Sequence, residues 1–474
     1  MTKFSSLLLV IAVALLLLAP PFFIAYSTPQ KIVITVAAWG PNGDAFADAA
    51  KEFMKEHPEI EVRILPMSWD TLLEKLTVDF ATRTGAYDIF TWDLIWAGAF
   101  SPHAYEIDEL IKRYPDVVRM FPNYNWSDYL PAAMKMYSLW KGKRYGVPLY
   151  GAAMVFFYRK DLFEDPKVKE LYRSWVSEHY EELKKILEKV GLSPKEIPKE
   201  LKVPETNGEF IVISRFFTKK YNPKSPTEYG VALMAKRTHV IFYMYLNFFG
   251  PFRRSPEGLK KFGKVVPEYG EYFTEWGTPA FNSTEGIKAL LIYKELTKYA
   301  PAPFAADYPE TLEYFGKGLT AMLPSWTAVY ASLKAYPAVL PLEKKVGIAM
   351  IPGGTPCSGG WGVSVSKYSK HPREAFMFLL YATTSKWEKY YAIKYGIGPT
   401  RYSVFRDPEV RKIPWTPVLE EALAKASNRP RIPQEPKLDD LTAGYFSEAL
   451  TGAKDPATVV KELATEWMKV MGKV

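Results

Sequence analysis

Residues 32–38 read IVITVAA, residues 61–65 read EVRIL and residues 88–92 read DIFTW; these three short runs decide the fold. Each has strand length and is rich in β-branched or aromatic residues. Between the first two, Gly40-Pro41-Asn42-Gly43 reads as a Gly-rich turn, and Phe46, Ala49, Ala50, Phe53 and Met54 then recur at helical spacing. Between the second and third, a helix from Asp70 carries Leu72, Leu73, Leu76 and Phe80 on one face. Strand–helix–strand–helix–strand order implies a parallel sheet covered by helices.

The theme recurs downstream. Asn282 with Glu285 three residues on reads as a capping-box-like helix start, and Pro372 opens a helix carrying Ala375, Phe376, Leu379 and Leu380. Runs at 346–350 and 362–365 read as strands flanking a Gly/Pro-rich loop, IPGGTPCSGGWG, at 351–362. The stretch 165–225 is charged and helical at first, then rich in Pro and Lys, and reads as an insertion.

At 474 residues, the chain is long enough for about two to four domains or lobes. Its net charge of +9 is spread among alternating signs, as in EELKKILEK at 181–189, which describes a solvated surface rather than the basic stripe that nucleic acid requires. The lone cysteine, Cys357, excludes an internal disulfide and a CxxC site. Residues 4–26 carry no charge and follow Lys3; Pro20 and Pro21 interrupt the apolar run. Residues 1–30 therefore read as a signal peptide or an N-terminal membrane anchor of an exported protein. Two glycosylation sequons, at Asn125 and Asn282, are usable only outside the cell.

Catalytic signatures fail. There is no HExxH or GxSxG, and the five histidines lack metal-ligand spacing. Residues 258–264, GLKKFGK, fit GxxxxGK, but Val265 stands where a phosphate loop needs Ser or Thr. No catalytic residue, metal or cofactor is expected. A carbohydrate-active enzyme would need two carboxylates facing one another across a cleft, and spacing in sequence does not decide that. What stands out is aromatic residues at strand ends. Sugars present flat apolar faces edged with hydroxyls, so their sites combine aromatic platforms with planar polar groups. Trp39 ends the first strand, and Trp92 with Asp93 ends the third. Ligands of open α/β sheets bind beyond such carboxyl ends. Trp361 sits in the Gly-rich loop, and Trp326 follows the apolar run 320–323. Asp70 has two readings, helix cap or ligand contact.

These residues lie in a chain that resembles the family 1 extracellular solute-binding proteins of ABC importers, the group of the maltose- and trehalose-binding proteins. The likeness rests on HPEIEVRI and GAYDIFTWD in 32–110, WKGKRYGVP at 140–148, FYRKDLF at 157–163 and AFNSTEGIKALLIYKEL at 280–296. It continues through FGKGLTAMLPSW at 315–326, IPGGTPCSGGWGVSVS at 351–366, GIGPTR at 396–401 and residues 429–467. The family's usual Pro-x-Thr-Trp-Glu segment is missing, with 165–225 in its place. The resemblance implies a two-lobed α/β fold of the type II periplasmic-binding kind, each lobe a mostly parallel sheet flanked by helices. It places lobe one at 31–149 and 304–355, lobe two at 150–303 and 356–428, and C-terminal helices in 429–474 packing across both. It implies ligand contacts at Trp39, Asp70, Asp93, Tyr150, Trp326, Trp361 and Arg401, with Trp92 a further candidate. The implied ligand is a di- or oligosaccharide and the implied partner a membrane permease, for a monomer that binds no nucleic acid. A binding protein for another solute, such as a polyamine or peptide, and a signalling receptor of the same fold are the competing readings.

Overall fold

The structure, a computed structural model, describes residues 31–473. The expected leader or anchor at 1–30 lies outside the described residues. Nine strands build two sheets: β1 (Ile32–Trp39), β2 (Ile60–Met67), β3 (Ile89–Asp93), β4 (Val147–Ala153), β5 (Val155–Arg159), β6 (Tyr229–Val231), β7 (Thr320–Ser325), β8 (Val346–Ala349) and β9 (Ser358–Val365). The first sheet has the order β2-β1-β3-β9-β4, the second β8-β5-β7-β6. A short separate hairpin joins residues 139–140 to 143–144.

The opening stretch folds as its periodicity predicts. β1 pairs with β2 and with β3 in parallel. The helix Gly40–Glu56 begins one residue after β1, so Gly40-Pro41-Asn42-Gly43 is its first turn and not a separate turn. Pro41 suits that position, because its missing N–H would have had no partner there. Phe46, Ala49, Ala50 and Phe53 are buried against the sheet. Each phenyl ring so buried contributes about 1.5–3 kcal/mol. The helix Trp69–Thr82 is capped by Ser68, whose Oγ accepts from the Thr71 N–H at 3.3 Å, so Asp70 is free of capping duty. Likewise Ser283, not Asn282, caps the helix Thr284–Thr297.

The sheets are mixed. β9 runs antiparallel to both β3 and β4, and β5 runs antiparallel to β7 and β8. Parallel pairing is confined to β2-β1-β3 and to β6 with β7. Only Met154 separates β4 in the first sheet from β5 in the second.

This pairing corrects the expected lobe boundaries. Segment 304–355 contributes β7 and β8 to the second sheet, whereas β9 and the helices Pro372–Ala382 and Ser385–Tyr395 pack into the first lobe's core. Residues 304–355 thus go to the second lobe and residues 358–397 to the first, while Val404, Phe405, Trp415 and Leu419 pack against Val155, Phe157 and Leu323 of the second sheet. The apolar runs of these segments announce strands but do not say which sheet receives them, because long-range pairing decides that. Residues 165–225 are not an appendage either. The helices Pro166–Glu178, Tyr180–Lys189 and Asn207–Phe216 build the second lobe's core, and every residue of the last is buried. That helix starts on a capping box between Thr206 and Glu209. The C-terminal helices Glu435–Thr451 and Pro456–Val470 bury their apolar faces in the second lobe, and the first of them also touches the turn Leu94–Trp96 of the first. The strap before them crosses as well. Arg431, buried in that strap, donates to the carbonyls of Leu94, Lys135 and Leu139 of the first lobe at 2.9–3.2 Å.

Candidate functional site

A cleft of about 570 Å³ lies between the lobes. Strand register assembles its first wall. Trp361 on β9 stands opposite Asp93 on β3 and Tyr150 on β4, and Trp39 ends β1. The indoles of Trp39 and Trp361 stack with centroids 5.1 Å apart and planes 5° apart, and Tyr150 lies nearly parallel to Trp39 at 6.4 Å. The second lobe faces this wall with Trp326, Tyr243 and Tyr308. Tyr243 meets Trp326 edge-on at 5.7 Å, and Tyr308 meets Trp39 edge-on at 6.3 Å. Trp326 also lies over Gly359 of β9, where an added Cβ would come within 2.6 Å of the indole, so glycine is needed for this close approach.

Polar groups are set into the floor and rim. Asp93 accepts from Trp69 Nε1 at 2.9 Å and from Arg429 Nη2 at 3.0 Å. Burial, the largest influence, works against the Arg429 charge, but Asp93 together with Cys357, Glu435 and Asp439 outweighs it and the guanidinium is held above its ordinary pKa. At the rim, Asp70 Oδ1 lies 3.5 Å from His239 Nδ1, and the His239 ring stacks on Trp69 at 4.1 Å. The nearby His239 ring lowers the Asp70 pKa. These contacts cross the cleft, because Trp69 and Asp70 belong to the first lobe and His239 opens a helix of the second. Among the described residues, no group of three or more His, Cys, Asp or Glu is arranged to hold a metal ion.

Six of the eight candidate contacts meet in this cleft: Trp39, Asp70, Asp93, Tyr150, Trp326 and Trp361. Two do not. Successive side chains of a strand point to opposite faces, so Trp92 turns away from its neighbour Asp93 and is buried, with Nε1 donating to Ser364 Oγ at 2.7 Å. Arg401 lies in the first lobe, 1% exposed, paired with Glu388 and stacked over Tyr129. It borders a separate surface cavity and holds the loop at Asn125 and the helix end at Thr383 in place. Sequence reasoning missed Trp69, His239, Tyr243, Tyr308 and Arg429. His239 and Tyr243 stand four apart at the start of an apolar helix, and Arg429 opens the RPRIP stretch, which are the available signals.

The GxxxxGK-like run is no phosphate loop, since Gly258 lies inside the helix Pro256–Phe262. Cys357 is fully buried, and burial pushes its thiol up to about 12. The thiol therefore stays protonated at pH 8, and Ellman's reagent should leave the native protein unmodified and react once on unfolding. Prompt stoichiometric reaction of native protein would contradict this burial.

The family model for bacterial extracellular solute-binding proteins matches residues 48–416. The chain belongs to this family. A mannitol-binding protein of Pseudomonas aeruginosa is 23% identical to this solute-binding protein over 447 residues, 88% of each chain. A probable amino-acid ABC transporter periplasmic-binding protein of Sinorhizobium fredii is 22% identical over 441 residues, 92% of this chain and 88% of its own. Among solved structures, an ABC transporter solute-binding protein of Agrobacterium radiobacter in complex with ribitol superposes with a TM-score of 0.71 at 24% identity, over 93% of this chain and 100% of that one. The solute-binding protein thus has the two-lobed type II fold, and its family consists of binding proteins.

Proposed function

We propose that this solute-binding protein captures a carbohydrate or polyol between its lobes and delivers it to the membrane permease of an ABC importer. The observation that carries the proposal is the pair of facing aromatic sets, Trp39, Trp361 and Tyr150 against Trp326, Tyr243 and Tyr308. Such rings suit the apolar faces of a sugar, and Asp70 and Lys236 supply polar edges for its hydroxyls. A cationic guest is disfavoured. Of the carboxylates at the cleft, Asp93 is taken by Arg429, and Asp307 and Glu310 form the capping box of the helix Tyr308–Gly316. The names of the mannitol-binding relative and the ribitol complex agree with a polyhydroxylated guest. In this reading the protein performs no bond chemistry and acts outside the cell as a monomer, either after cleavage of residues 1–30 or held by them. Among the described residues, no helix is long and apolar enough to cross a membrane.

The test is a titration with mannitol, ribitol, maltose, trehalose and maltotriose, with glutamate, leucine and putrescine as counter-arms. One of the polyhydroxylated compounds should change tryptophan fluorescence saturably. It should stabilise the fold by about 2.7 kcal/mol at a hundredfold excess over Kd, read as a rise in Tm. A response confined to the amino acids or the amine would overturn the carbohydrate reading.

A further inference from the structure

Beneath the cleft floor lies a pair of carboxyl groups that ligand capture does not use. Glu435 and Asp439 stand one turn apart on the helix Glu435–Thr451, so they share a face. Glu435 is 0% exposed and Asp439 4%. Both carboxylate oxygens of Glu435, and Oδ1 of Asp439, lack a hydrogen-bond partner in the protein. This is unlike Asp93, which is bonded on both oxygens.

The charged groups whose fields reach Asp439 come from four other elements. They are His239 from the helix beside it, Arg429 from the strap, Asp93 from the end of β3 and Asp70 from the helix Trp69–Thr82. Glu435 feels the fields of Asp439, Arg429 and Asp93. Arg429 and His239 are thus common to both sets of carboxyls. Arg429 donates through Nη2 to Asp93 and leaves Nε and Nη1 without a partner, His239 lies 3.5 Å from Asp70, and both of those carboxylates belong to the first lobe.

We propose that the Glu435–Asp439 pair is a proton-operated latch, which holds the lobes together when protonated and releases them when Asp439 ionises. Protonated, the pair makes no claim on Arg429, whose Nη2 stays on Asp93 of the first lobe across the cleft. Ionised, Asp439 attracts the same guanidinium, whose Nε and Nη1 lack a partner, draws it toward the second lobe and weakens that crossing. Two adjacent carboxyls in a dry interior do not ionise together, so Glu435 stays neutral throughout the useful range. Burial raises both groups, Asp439 to about 7 and Glu435 well above its ordinary value.

The direction of the pH effect follows. The closed form holds the Asp439 proton up to about pH 7. Separation of the lobes admits water and returns the group toward its ordinary carboxylate range. The closed form therefore carries more protons, and closure is favoured as pH falls and lost as it rises through 7. Between pH 8 and pH 6 the closed-to-open ratio should rise roughly tenfold.

The inference rests on reading the cleft as a site that closes, and it is tested without any ligand, so failure of the sugar titration and failure of the latch are separate results. Spin labels go on the full chain at Lys75→Cys and Lys317→Cys, exposed positions on opposite lobes, while buried Cys357 stays unlabelled. Interlobe distances are read by electron–electron resonance at pH 6 and pH 8. The short distance should dominate at pH 6 and lose roughly tenfold against the long one at pH 8. In the Asp439→Asn background it should dominate at both. If that variant does not fold, Asp439→Leu, which removes the unpaired polar group, gives the same readout. Distances indifferent to pH, or a pH response unchanged in these variants, would overturn the latch.

Discussion

Glu388→Ala should lower stability by about 3–5 kcal/mol, the cost of leaving one partner of a buried ion pair alone, and leave ligand affinity unchanged. Glu388 is 4% exposed and holds four groups. One oxygen accepts from the Thr400 and Arg401 N–H groups at 2.6 and 2.9 Å, the other from Arg401 Nε at 3.1 Å and Thr400 Oγ1 at 3.2 Å. Without it the Arg401 guanidinium keeps Tyr129, Thr383 and Asn125 as partners but loses its counter-charge. Urea denaturation of the variant, paired with a ligand titration well below its midpoint, separates the two roles. Loss of affinity in step with stability would return Arg401 to the binding site, where the family likeness had placed it.

Trp39→Ala should weaken ligand binding by about 2 kcal/mol or more, roughly 30-fold, as truncation of a central aromatic anchor does. Trp39 is half-buried and touches both sides of the cleft, stacked on Trp361 and edge-on to Tyr308. Trp361 is the less clean probe, because it is only 4% exposed and meets the core indole of Trp96 edge-on at 5.7 Å. Its truncation would lower stability and affinity together. Fluorescence titration of Trp39→Ala decides the matter, and unchanged affinity would remove the aromatic wall from the mechanism.

The contrast between these two residues shows what could be read from sequence alone. Trp39 was legible because it ends a strand, and strand ends are where such sheets bind ligands. The same local argument puts Trp92 beside Asp93 but does not say which side of the strand each side chain takes. Register settled that, sending one indole to Ser364 and the carboxylate to Arg429. Arg401 came from motif position, and motif position does not distinguish a contact from a brace. The opening β1-to-β3 unit was legible because its periodicities are local. The destinations of 304–355 and 356–428 were not, since they depend on pairings such as β9 with β3, more than 260 residues apart in sequence. Burial of 207–216 was hidden for a related reason: polar Asn207, Glu209, Ser214 and Arg215 sit among its apolar residues, and all ten are buried once the second lobe closes over them.

The placement of β9 has a consequence for biosynthesis. It fills the slot between β3 and β4, which precede it by some 200 residues or more. While the chain is being made, these two older strands wait with bare hydrogen-bonding edges, and the amino-terminal half of the molecule has no complete sheet until residue 365 has appeared. Shortened products ending before residue 358 should accordingly emerge as sticky, incomplete pieces rather than as an independent amino-terminal lobe.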